Sequence, residues 1–200
     1  LMLEHNADVQ LAHSGKLAAE PYVSLGSCLE TLVLAGQAFG YELHTVIDNA
    51  ATSITVSVGK KIAPQPALAS AIVNRASNRK YYDETAVDKK LIALITQRTF
   101  SNCIAQFTED RKEIEFLADQ TKIATQKIMS DAAFRKELSY WVRNNLTKKY
   151  TGMPGFAQEM PTPPSLVARH VITYFDVSKT QAKTDASRVI HSPGIVLIMA

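Results

Sequence analysis

From Asp110 to Asn145 the sequence contains neither glycine nor proline, while Ile114, Leu117, Thr121, Ala124 and Ile128 recur at helical spacing. That pattern predicts helix almost throughout the stretch, with those five positions forming one buried face. The end is marked just as firmly. Gly152, Pro154 and Gly155 follow in quick succession and cannot continue a helix. Beyond them "AQEMPTPPSL", with Pro161, Pro163 and Pro164, reads as an extended connection or a lid.

Upstream, the pattern changes to strands around one apolar helix. "LML" opens like a short strand, and "VSLGSCLETLVLAGQAFGY" carries Leu25, Leu29, Leu32, Val33 and Gly36 along one face. Ser24 is the expected N-cap and Gly40 the expected C-terminal glycine. The segment is apolar on nearly every side, which predicts a core helix and a buried, inert Cys28. "YELHTVI" and "TSITVSVG" are β-branched runs, expected as a hairpin or at a sheet edge. Pro64 and Pro66 then punctuate a connection, and an internal boundary is placed there, dividing 1–62 from 63–200. "ALASAIVNR" and "VDKKLIALITQR" read as short helices, the second running from Asp88 to Arg98, and "NCIAQFT" and "GIVLIMA" as strands.

At 200 residues, 46% hydrophobic and 20% charged, the chain has the composition of an ordinary globular domain. A net charge of +3 without dense Lys/Arg clusters argues against a nucleic-acid partner. No apolar run has the length of a membrane span, and Cys28 and Cys103 show no metal-ligand spacing, so a cytoplasmic setting is expected. His5, His13, His44, His170 and His191 are isolated from one another, which argues against a zinc or iron site. The chain starts without a methionine run-in and stops inside an apolar strand pattern, as expected of a segment of a longer polypeptide.

The run with chemical content is "NRASNRKYY", residues 74 to 82. In an extended backbone Arg75, Ser77 and Arg79 point to one side, and two guanidinium forks with a hydroxyl match a phosphate and its neighbours. A solvated surface turn is the alternative. Tyr81 and Tyr82 suit either a planar ligand or the edge of a core. In "KELSYWVR", Glu137 and Trp141 share a helix face with Arg143 nearby, and Trp141 reads as a packing anchor.

"AIVNRASNRKYYDETAVDKKLIALI" resembles the opening helix and phosphate-binding stretch of nitroreductase-like FMN oxidoreductases, through Arg75, Ser77, Arg79, Tyr82, Val87 and Leu91. The order of further motifs is similar to the tandem-half, Acg-like branch: the Ser24–Tyr41 helix, then Glu137, Leu138, Trp141 and Arg143, then Gly152-Met153-Pro154. The resemblance implies an α+β fold with a mainly antiparallel central sheet flanked by helices. On it, residues 1–62 close a first half and 63–200 form most of a second, in a homodimer or internal pseudo-dimer. It implies FMN as cofactor, with Arg75, Ser77 and Arg79 on its phosphate, and NAD(P)H-dependent reduction of nitroaromatic or quinone-like acceptors. Flavin storage beneath the Pro-rich loop 154–164 and a degenerate structural half acting in dimerisation are the other readings. Two family segments, an Asn-containing "P-S-x-x-N-x-Q-P-W" run and a late basic pair, do not occur here; the resemblance places them before Leu1 and beyond Ala200.

Overall fold

The alternation of Ile54, Val56 and Val58 along one strand gives that strand a single apolar face, and the computed structural model of the chain builds its first unit on it. The structure describes residues 1–4, 20–48, 53–83, 85–97 and 103–199. The chain divides into two compact units, Leu1–Asn78 and Arg79–Ala200. Both are mixed α and β, and the sheets are small.

In the first unit β1 (Met2–Glu4), β2 (Tyr41–Ile47) and β3 (Ser53–Lys61) form an antiparallel sheet in the order β1-β3-β2. The β2–β3 pairing, Thr45 opposite Val56 and Ile47 opposite Ile54, is the hairpin alternative of the two expected. Helix α1 (Glu20–Ala38) lies on the sheet through Leu25, Leu29 and Leu32, which pack with Ile54, Val56, Leu3 and Leu43. Each fully buried side chain of this kind contributes about 1.5–3 kcal/mol. Gly36 extends the same stripe, because a Cβ there would lie 2.8 Å from Leu43 Cγ. Gly40 takes φ +81 and ends the helix as expected.

Two expectations for this helix do not hold. Helix α1 is already formed at Glu20, with Pro21 in its first turn, so Ser24 lies inside it and caps nothing. Cys28 is exposed, because a helix on a three-stranded sheet is covered on one side only and Cys28 falls outside the Leu25–Leu29–Leu32–Gly36 stripe. Helix α2 (Pro66–Asn74) packs on α1 within the first unit.

The second unit is organised by two long helices and the strands joined to them. β4 (Ile104–Thr108) leads into α4 (Arg111–Ser130), and α7 (Ser178–Ile190) leads into β7 (Ile195–Met199). β4 and β7 pair antiparallel, Gln106 opposite Leu197, and among the described residues each pairs with nothing else. The helices pack along their length through Ile114 and Ala118 of α4 and Ala182 and Ala186 of α7. Arg111 carries its guanidinium to the Ile190 and Ser192 carbonyls at the far end of α7.

The helix expected over 110–145 is broken in two. At Asp131 the backbone is extended (φ −73, ψ 117), and its carboxylate accepts the Ala133 and Phe134 N–H groups to start α5 (Ala132–Trp141). The predicted face also drifts. Its spacing of three and four alternately has a period of 3.5, whereas the observed inner positions, Ile114, Ala118, Thr121, Thr125 and Met129, follow the true helical period and leave Ala124 and Ile128 exposed. Arg135, 8% exposed, donates to the Met129 and Ser130 carbonyls at 2.8 Å each and so satisfies the end of α4.

The Pro-rich segment is not one extended connection. Gly155–Gln158 forms a 3-10 turn and α6 (Thr162–Tyr174) begins within "TPP", where missing N–H groups cost nothing because the first turn has no partners for them. The short parallel strands β5 (Val142–Arg143) and β6 (Met153–Pro154) bring this segment back beside α5. Asn145 then ties the turn together, donating from Nδ2 to Met160 O at 2.9 Å while its N–H reaches Ser165 Oγ at 3.0 Å. α3 (Lys89–Thr96) completes the unit beside β4.

Two outcomes follow from these contacts. A Cβ on Gly155 would lie 2.5 Å from Asn145 Oδ1 and 2.6 Å from Ser165 Cβ, whereas one on Gly26 meets nothing within 4 Å. In urea denaturation, Gly155→Ala is expected to destabilise by roughly 1–3 kcal/mol and Gly26→Ala to stabilise by up to about 1 kcal/mol; equal effects would contradict the packing. Asp176, before α7, has its carboxyl held below the usual value of 3.8 by the Ser178 hydroxyl, then by the Ser178 N–H, with Arg135 and Lys179 adding to it. A lowered folded value gives stability that is full above the unfolded carboxyl's pKa and is lost as pH falls through the folded one. Thermal unfolding of wild type against Asp176→Asn should therefore show an advantage at pH 6 that shrinks below about pH 4.

Candidate functional site

Helix α2 ends at Asn74, and Arg75 turns the chain out of it with φ −63 and ψ 122. Those angles are extended, and the run from Arg75 to Arg79 lies outside helix and strand with every residue exposed. Arg75 and Ser77 belong to the first unit and Arg79 opens the second, so the structure describes the three residues in two parts. Among the described residues neither guanidinium pairs with a carboxylate. The Arg79 N–H lies 3.4 Å from Glu159 Oε1. Glu159 itself stands in the left-handed region at φ 57, where it ends the 3-10 turn.

Tyr81 and Tyr82 are about half exposed, at 54% and 50%, so neither closes a core. Tyr81 sets its ring edge against His191, with 5.2 Å between centroids and 71° between planes. Tyr82 lines a half-open cavity of about 660 Å³ in the second unit, with Asp83, Glu109, Arg111 and His191. This cavity was not legible as a site. Its residues come from three separated stretches of chain, around Tyr82, Glu109 and His191, and the α4–α7 packing and the β4–β7 pairing bring the last two together.

The "KELSYWVR" residues serve packing. Trp141 stands edge-on to Tyr140, with centroids 5.2 Å apart, and its carbonyl lies against Gly152, whose φ of +97 and lack of a Cβ permit the approach. Arg143 donates to the Tyr140 and Val142 carbonyls and lies 5.7 Å from the Tyr140 ring centre. Its Nε is buried without a partner, as are Arg135 Nε and Asn145 Oδ1.

Among the described residues no group of three His, Cys, Asp or Glu is placed to hold a metal ion, and Cys28 and Cys103 are free thiols. Likewise, no helix there is long and apolar enough to cross a membrane. His5 and His13, Arg98 and residues 49–52 lie outside the described residues. Comparison with protein-family models, with curated proteins and with solved structures finds no match.

Proposed function

We propose that the chain is part of an FMN-dependent, nitroreductase-like oxidoreductase that takes electrons from NAD(P)H, its flavin phosphate held by Arg75, Ser77 and Arg79. The observation that supports this reading is that Arg75, Ser77 and Arg79 are exposed, that Arg75 is extended, and that neither guanidinium pairs with a carboxylate among the described residues. The donor set fits the group. A phosphate monoester is a tetrahedral acceptor with up to two negative charges, and the planar forks of two arginines with a hydroxyl supply paired donors to its oxygens. The order of motifs from Ser24 to Pro154 supplies the rest of the case.

On this reading the flavin supplies hydride transfer, and the protein contributes binding, orientation and fixed positive charge. The nitroreductase fold, its central sheet and a dimer are part of the same proposal.

The test is the visible spectrum of the purified protein after FMN is added and excess removed by desalting. A retained flavin band is expected in wild type and at least a tenfold weaker affinity in Arg75→Ala/Arg79→Ala, from the loss of charge-assisted bonds worth about 1.5–3 kcal/mol each. NADPH oxidation with a quinone acceptor then reports turnover. A protein that never retains flavin, or a variant that retains it as well as wild type, contradicts the assignment.

A second reading, a structural half that associates with a partner, draws on the β4–β7 ribbon, where Ile104 is 62% and Ile198 74% exposed. Gel filtration against concentration distinguishes it: a dimer without bound flavin supports this reading, and a monomer at all concentrations removes it.

A further inference from the structure

The cavity of the second unit is rich in hydrogen-bond acceptors. Asp83 and Glu109 line it with carboxylates, which only accept when ionised. His191 Nδ1 lies 2.7 Å from the Ser187 carbonyl oxygen. A carbonyl cannot donate, so Nδ1 carries the proton in this contact, and in that tautomer Nε2 is the ring's acceptor. Tyr81, edge-on to that ring, holds its orientation.

The one cation among the lining residues is already engaged. Arg111 donates to the Ile190 and Ser192 carbonyls, at the end of α7 where the helix dipole is negative. Its charge offsets that end of the helix, leaving two carboxylates, an imidazole acceptor and the Tyr82 ring along the wall. The character is electronegative in a chain whose net charge is +3. Anionic ligands, including phosphate esters, are poorly matched to it.

We propose that this cavity binds a small organic cation, a primary ammonium or guanidinium on a short apolar body. Its N–H groups bond to the carboxylates of Asp83 and Glu109 and to His191 Nε2, while the Tyr82 ring receives the cation or the apolar body beside it. The volume of about 660 Å³ suits such a ligand, since small-molecule sites span roughly 300–1,000 Å³. The site uses none of Arg75, Ser77 or Arg79, so it stands independently of the flavin reading.

Two-dimensional ¹H–¹⁵N NMR of the full chain, titrated with benzylammonium chloride and separately with sodium benzoate, tests the proposal. Saturable shifts at Tyr82, Asp83, Glu109 and His191 are expected with the ammonium and none with the carboxylate. Asp83→Asn/Glu109→Gln should weaken the affinity by about tenfold or more, the charge-assisted bonds being lost, with the thermal midpoint unmoved. Should the double variant fail to fold, Glu109→Gln alone and Tyr82→Leu carry the same comparison. Shifts that do not saturate, equal shifts with benzoate, or undiminished affinity in a folded variant would each overturn it.

Discussion

The second unit depends on how closely α4 and α7 approach. Ala118, Ala182 and Ala186 lie in the contact at 1%, 1% and 7% exposure, and Ser178 continues the α7 stripe at 2%. Small side chains let two helices come together along their length, and the fully buried Ile114 fills the space that remains. The approach then sets everything attached to the helix ends. It carries β4 to β7, brings Arg111 to the last carbonyls of α7, and sets His191 opposite the turn that holds Asp83.

Three helices of this unit begin in the same way. Asp88, Asp110 and Asp131 each accept the N–H two residues on, at 2.8–2.9 Å. Aspartate at this position satisfies a backbone donor that the helix cannot and places negative charge at the positive end of the dipole. The C-terminal ends of α4 and α7 are met by arginine, Arg135 on one and Arg111 on the other.

What was legible in the sequence followed from local rules. The strand pair Tyr41–Ile47 and Ser53–Lys61, the Leu25–Leu29–Leu32 face and the glycine at 40 are all fixed by alternation, helical spacing or a positive φ. The failures have local causes too. Asp131 caps a helix as readily as it sits within one, and only its side-chain bonds to Ala133 and Phe134 show which it does. Three prolines read as a loop until the first of the helical pair is seen at the start of α6. Of the candidate site, Arg75, Ser77 and Arg79 stood out because their types and spacing sit within one run of chain. The cavity did not, since Glu109 and His191 lie 82 residues apart and carry no shared pattern.

The three-stranded sheet and the β4–β7 ribbon meet solvent differently. In the first unit the outer strand β2 sets Glu42 beside Lys60 at 3.5 Å, and charge at a sheet edge discourages a foreign strand from adding to it. β7 has no such guard. From Ile195 to Met199 it is uncharged, β-prone and proline-free, and among the described residues its second edge is open. Such a segment accepts a strand from any chain that reaches it, so the burden of keeping this protein dispersed falls on whatever covers that edge.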